Sequence, residues 1–198
     1  MSVSRFAFLL LIFSFGITSI LVGQQLPQLA ASAAPAIVDN DFVQKEFGIN
    51  CSLVGAALTA DLDDDGVEDV VIPARCTSPM VDQAEHDFKV VDPYYSFFGY
   101  GNPKVTTEFA AEHPERRAYV LLVIHGTGKD AWRSATPKAK FMVVNLPYRS
   151  ISVKKLQVRK KQLMAIYVEE TGSDQMTSVI FWDGKRYKYE PLGSSLEE

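Results

Sequence analysis

The sequence lacks long hydrophobic runs and any excess of positive charge once the segment 1–33 is set aside. No later apolar stretch approaches the roughly 18 residues that a membrane span needs, so none is expected in the remainder. The remainder carries 19 Lys and Arg against 24 Asp and Glu, a net charge of −5, because the only basic residue in 1–33 is Arg5. This balance argues against nonspecific nucleic-acid binding. With 47% hydrophobic and 22% charged residues, the chain has the composition of a globular protein.

Histidine is also scarce, and this limits the enzyme classes that fit. The segment 119–128 reads Tyr-Val-Leu-Leu-Val-Ile-His-Gly-Thr-Gly and resembles the strand and turn before the oxyanion hole of α/β-hydrolases. That fold requires a Gly-x-Ser-x-Gly elbow and then a later histidine. Neither occurs, since His125 is the last of three histidines. We therefore expect a buried strand that ends in a glycine-rich turn, and no catalytic residues.

The segment 1–33 has the pattern of a secretory signal. Arg5 precedes the apolar stretch 6–22, and Ala31-Ser32-Ala33 places small residues where signal peptidase requires them. We predict cleavage after Ala33, with 34–36 as a second candidate site. The alternative is an uncleaved anchor, because the stretch 6–22 is nearly long enough to span a membrane. The prediction is a signal peptide over 1–33 and one periplasmic or secreted domain over 34–198.

Cys51 and Cys76 are the only cysteines, and export favours a disulfide between them. Their midpoint lies inside an acidic run. If 53–60 and 68–74 pair as antiparallel strands around that run, the two cysteines face each other within disulfide reach. The alternative, a reactive thiol, requires a reducing compartment.

The hydrophobic pattern predicts a mainly β, α+β domain: mostly antiparallel sheet with a few short helices. Asp39 or Asn40 caps a first helix that runs to Phe47 and ends at Gly48. Asp183-Gly184 predicts a two-residue hairpin turn. Further helices are expected around 81–88 and 106–112. Predicted strands cover 52–60, 69–74, 118–125, 140–146, 151–158, 162–169, 177–182 and 185–189, the last of them in an antiparallel meander.

The acidic run 61–69 is the strongest functional signal. It reads Asp-Leu-Asp-Asp-Asp-Gly-Val-Glu-Asp and holds six of the 24 acidic residues. Charges this dense disfavour a compact loop unless a cation neutralises them. Oxygen ligands at alternate positions suit Ca²⁺; they would be Asp61, Asp63, Asp65, the Val67 carbonyl and Asp69. An EF-hand does not fit, because its twelfth position would be Ile72.

The segment 60–72 resembles the calcium loop of FG-GAP and VCBS-type repeats, D-x-D-x-D-G-x-x-D between two strands. The resemblance is confined to the loop and its immediate flanks, and it implies the same five ligands. Such repeats build β-propellers in series, whereas this chain has one copy, so the loop would be present without the propeller. The whole chain resembles exported bacterial proteins that carry one such loop. A solvated acidic turn, a purely structural ion and an ion that serves a ligand or a reaction remain open alternatives.

Two other surfaces are candidates for binding. An aromatic cluster on a predicted loop could contact sugar rings or a peptide, or could cap the sheet; it comprises Tyr94, Tyr95, Phe97, Phe98 and Tyr100. A basic run over 154–161 could meet acidic lipid head groups or polysaccharide, or could form a solvated turn. The function we expect is an exported, calcium-binding, noncatalytic interaction module of the cell envelope or extracellular space. Its partner would be a protein or glycan of the envelope. The alternatives are a metal-dependent hydrolase of an envelope or extracellular polymer, and a structural protein.

Overall fold

The computed structural model describes residues 37–99, 118–146, 148–171 and 176–194. The described part is mostly β, with two sheets and two α-helices, which confirms the predicted fold class. The predicted signal peptide, the expected helix over 106–112 and Tyr100 lie outside the described residues. The helices are α1 (Asn40–Phe47) and α2 (Pro93–Phe98); the strands are β1 (Cys51–Leu53), β2 (Leu58–Ala60), β3 (Asp69–Cys76), β4 (Lys89–Val91), β5 (Tyr119–His125), β6 (Ala139–Val143), β7 (Tyr148–Val158), β8 (Lys161–Glu170), β9 (Met176–Trp182) and β10 (Tyr187–Ser194).

Sheet 1 has the order β1-β3-β5-β6-β4, with β2 beside β1 along the same edge of β3. All of its pairs are antiparallel except β4 with β6. Successive side chains of a strand point to opposite faces, and both faces of β3 are buried. Val70 and Ile72 pack with Val43 and Phe47 of α1, whereas Val71 packs on the other side. This explains the continuous apolar run in β3.

Sheet 2 is an antiparallel meander with the order β10-β9-β8-β7, as predicted from the close spacing of the strands. Its inner face packs on sheet 1. Leu121 and Val123 of β5 share one core with Ile166 of β8 and Ile180 of β9. Helix α1, sheet 1 and sheet 2 are therefore stacked as three layers. The predicted helix at the N-terminal end is confirmed, with Asp39 accepting a hydrogen bond from the Phe42 amide at its start.

Outside the aromatic segment, several local predictions differ from the structure. The segment 81–88 forms turns rather than a helix, since its last turn passes through Asp87 in a left-handed conformation (φ 49°). The segment 183–186 forms a four-residue loop rather than a two-residue turn, because the Asp183 carboxylate accepts hydrogen bonds from the Lys185 and Arg186 amides. The predicted strand 52–60 is divided into β1 and β2.

The predicted disulfide between Cys51 and Cys76 is present, and the two cysteines are register partners across β1 and β3. Leu58 of β2 pairs with Val71 of the same β3 strand. The two arms on either side of the acidic loop therefore pair around it, as the spacing of the cysteines indicated. The disulfide closes this hairpin at the end opposite the loop.

Loss of this disulfide will lower the free energy of unfolding by about 3.5 kcal/mol, because opening a loop of this size releases chain entropy in the unfolded state. Urea unfolding of the oxidised protein, of the reduced protein and of a Cys51→Ser, Cys76→Ser double variant measures the change. Reductant should leave the double variant unaffected. Equal stability of the oxidised and reduced proteins would contradict the prediction.

Candidate cation site

The acidic loop joins β2 to β3 and brings three carboxylates together. Asp61, Asp63 and Asp65 each place one oxygen within 4.8 Å of the others. The loop folds back on itself: the Asp61 carboxylate accepts hydrogen bonds from the amides of Asp65 (3.1 Å) and Gly66 (2.8 Å). Gly66 has φ 83°, a conformation that costs glycine little. The convergence of these three predicted ligands is thus a consequence of the local loop geometry.

The Asp63 side chain is buried, with 3% of it exposed, compared with 28% of the Asp65 side chain. Its Oδ2 lies 3.2 Å from Nδ1 of His125 and 2.6 Å from Nζ of Lys138. Its Oδ1 is buried and has no hydrogen-bond partner within the described part of the chain. Because a buried carboxylate oxygen without a partner is unfavourable, this atom favours a ligand that supplies positive charge.

Asp69 is fully buried and holds the loop against sheet 1. Its Oδ2 accepts a hydrogen bond from the Leu62 amide (2.8 Å) and its Oδ1 accepts one from the Gly126 amide (2.7 Å). Burial raises the pKa of Asp69 to about 7, although both hydrogen bonds act in the opposite direction. Asp69 is not part of the three-carboxylate cluster. Its role as a ligand, and that of the Val67 carbonyl, stay predictions.

His125 takes part in the site, although the sequence indicated only a buried strand end. Its Nε2 lies 2.6 Å from the Tyr187 hydroxyl, and its ring packs against Phe141 and Trp182. Burial lowers the pKa of His125, which favours the neutral form of the ring. With its proton on Nδ1, a neutral ring accepts the Tyr187 hydroxyl proton at Nε2 and places Nδ1–H beside Oδ2 of Asp63. This chain of contacts fixes the orientation of Asp63.

Lys138 is the second residue that the sequence did not indicate. Its Nζ lies 2.6 Å from Oδ2 of Asp63 and 2.5 Å from Oδ2 of Asp65. The two carboxylates raise the pKa of Lys138 well above its ordinary value, and the hydrogen bond from Lys138 lowers the pKa of Asp65. The main chain of Lys138 is held by β5, since its amide donates to the His125 carbonyl (2.9 Å). Part of the negative charge of the loop is therefore neutralised from within the chain.

The segment 126–138, between β5 and β6, contacts the acidic loop at a second point. The Glu68 carboxylate accepts hydrogen bonds from Nε1 of Trp132 (2.9 Å) and from Arg133 (3.0 Å). The Arg133 guanidinium also lies 4.1 Å from the centre of the Trp132 ring. The loop is thus clamped to segment 126–138 at Glu68 as well as at Lys138.

The predicted aromatic loop is instead mostly helix α2. Asp92 caps its N-terminus and Pro93 begins it, a capping pattern that could have been recognised in the sequence. Tyr94 and Phe97 pack on Tyr189 of β10, at 5.0 and 5.4 Å between ring centres, as expected if the aromatics cap the sheet. Phe97 is 50% exposed, and ligand binding by this cluster stays a prediction. The basic run includes the exposed turn of the β7–β8 hairpin.

Comparison with protein-family models, with curated proteins and with solved structures finds no match to this chain. Within the described ranges, no helix is both long enough and apolar enough to cross a membrane. The residues and geometry of the acidic loop are therefore the features that indicate a function.

Proposed function

We propose that this protein binds a divalent cation, calcium, in the loop 61–69, and that it acts as an exported, noncatalytic interaction module of the cell envelope or extracellular space. The observation that carries the proposal is the convergence of Asp61, Asp63 and Asp65 around a site where Oδ1 of Asp63 is buried without a partner in the described part of the chain. A cation would supply the missing interaction and offset the mutual repulsion of the carboxylates.

Calcium is the ion that best suits these donors. Ca²⁺ takes six to eight hard oxygen ligands in a flexible geometry, and every donor in the cluster is a carboxylate oxygen. In the FG-GAP-type arrangement that the loop resembles, the Val67 carbonyl and Asp69 would complete the ligand set. Asp69 would be a ligand if one of its carboxylate oxygens bound the ion. That oxygen would do so in addition to, or in place of, accepting the hydrogen bond from the Leu62 or Gly126 amide.

The geometry favours a binding role over hydrolysis. His125, which contacts the cluster through Asp63, is 1% exposed and both of its ring nitrogens are engaged. A hydrolase would require such a base to reach a substrate or a water molecule. The Cys51–Cys76 disulfide supports an oxidising compartment. The exposed ring of Phe97 would contribute to a contact with a protein or glycan of the envelope.

Calcium will raise the melting temperature of the oxidised protein relative to EDTA. At 100 times its dissociation constant a ligand adds about 2.7 kcal/mol of stability, which is a shift of several degrees for a domain of this size. Thermal unfolding in EDTA, Mg²⁺ and Ca²⁺ measures the effect. The Asp65→Asn variant should lose most of the shift, because this substitution removes one charge of the cluster.

Asp64→Asn is the matched control. Asp64 is exposed, lies outside the cluster and has φ 61°, a conformation that asparagine tolerates. This variant should respond to calcium as the wild type does. Identical melting curves of the wild type in EDTA and in saturating calcium would refute the proposal and leave a solvated acidic turn.

A further inference from the structure

Lys138 occupies two of the oxygens that a divalent cation would need. Its ammonium group bridges Oδ2 of Asp63 and Oδ2 of Asp65. A positively charged group in direct contact with two of the three carboxylates repels a second cation at the same place. A metal ion can therefore bind these oxygens fully only if the ammonium group leaves them.

We propose that Lys138 is a tethered competitor of the divalent cation: it neutralises the cluster when no ion is bound, and ion binding displaces it. This inference rests on the proposed function of the loop. Lys138 would then set the cation concentration at which the site fills, and ion binding would release a lysine side chain at the surface beside the loop.

The structure allows this displacement without a change of the main chain. The Lys138 side chain is 48% exposed, so its ammonium group can turn into solvent. Its amide stays bonded to the His125 carbonyl whichever way the side chain points. Lys140, which follows in β6, differs in this respect, because it is 12% exposed and bonded to both the carbonyl and the carboxylate of Glu46.

The ligands, in contrast, do not depend on Lys138 for their position. Asp63 also contacts His125, which is held by Tyr187, and the Asp61 carboxylate is bonded to amides of the loop itself. Removal of the lysine therefore leaves the cluster in place with one positive charge fewer. Because a competing internal charge weakens binding, we expect a dissociation constant in the range of extracellular calcium modules, roughly 10⁻⁴–10⁻³ M.

The first test compares calcium affinities by isothermal titration calorimetry for the wild type, Lys138→Met and Lys129→Met. Lys129 lies in the same segment 126–138, is exposed and lies outside the cluster, so its replacement removes the same charge without the competition. Lys138→Met should bind calcium at least roughly tenfold more tightly than the wild type. Lys129→Met should stay within about twofold, because salt screens an exposed charge.

The second test follows the lysine in the wild-type protein and does not depend on how a variant folds. Acetylation by N-hydroxysuccinimidyl acetate is measured residue by residue by mass spectrometry, in EDTA and in saturating calcium. The modification of Lys138 should rise severalfold in calcium, since the ammonium group leaves its two carboxylates, and that of Lys129 should not change.

The outcomes separate the two proposals. If the wild type binds calcium but Lys138→Met binds it no more tightly, the role proposed for Lys138 is wrong and the calcium site stands. The same holds if calcium does not increase the acetylation of Lys138. Absence of binding in both the wild type and Lys138→Met overturns the site and the competitor together. Binding by Lys138→Met alone overturns calcium binding by the wild-type protein and, with it, the displacement of Lys138 by the ion.

Discussion

Replacement of Asp69 by alanine will lower the free energy of unfolding by about 4 kcal/mol, because two buried amides lose their acceptor at once. Asp69 is fully buried, and its two oxygens accept the Leu62 and Gly126 amides. A buried N–H group without a partner costs about 1–3 kcal/mol. The loss is reduced in part because burial also disfavours the charged form of Asp69, as its raised pKa indicates.

Asp69→Asn distinguishes lost acceptors from lost charge. Its single carbonyl oxygen can serve one of the two amides, whereas its NH₂ group faces the other as a second donor, so we expect a loss of about 2 kcal/mol. Urea unfolding in EDTA measures both variants without a contribution from bound ions. Asp64→Asn is the control and should stay within about 0.5 kcal/mol of the wild type, because Asp64 is exposed. If Asp69→Ala were as stable as this control, the anchoring role of Asp69 would be wrong.

Replacement of Gly126 by alanine will cost about 3 kcal/mol, for a steric reason. A Cβ atom at Gly126 would overlap the Glu68 carbonyl oxygen and would lie 2.7 Å from the Ala131 carbonyl carbon and 2.8 Å from the Trp132 nitrogen. All three are main-chain atoms, which cannot turn aside as a flexible side chain can. The Trp132 amide also donates a hydrogen bond to the Glu68 carbonyl (3.1 Å). The added methyl group would therefore force the acidic loop away from segment 126–138.

Gly128→Ala is the matched control in the same segment. Gly128 has φ 60°, and among the residues that the structure describes no atom lies within 4 Å of its Cβ position, so its replacement tests backbone conformation alone. We expect a loss of about 1–2 kcal/mol from the left-handed conformation. Chemical unfolding of the two variants side by side measures the difference. A smaller loss for Gly126→Ala than for Gly128→Ala would contradict the close main-chain contact.

The elements that depend on neighbours in the chain are those that the sequence predicted correctly. Helix α1 begins where the Asp39 side chain accepts the Phe42 amide, one turn further along the chain. The sheet-2 meander was evident because its strands follow one another at short spacing. The disulfide was predictable because Cys51 and Cys76 are nearly equidistant from the loop around which β3 pairs with β1 and β2.

Where side-chain hydrogen bonds compete with the regular pattern, prediction from the sequence was less accurate. The Asp183 side chain bonds to two following amides and lengthens the expected two-residue turn to four residues. The aromatic segment around Tyr94 was expected to be a loop but begins as helix α2. Its helical start depends on Asp92, whose side chain caps the Tyr95 amide.

By itself, the sequence determined the three carboxylates of the site, since Asp61, Asp63 and Asp65 lie within one turn of chain that closes through its own hydrogen bonds. Only the tertiary structure decided what surrounds them. Asp63 meets His125 and Lys138, which lie far along the chain, because β5 pairs with β3 and segment 126–138 returns to the loop. No local pattern encodes these contacts, because they depend on which strands pair and in which register.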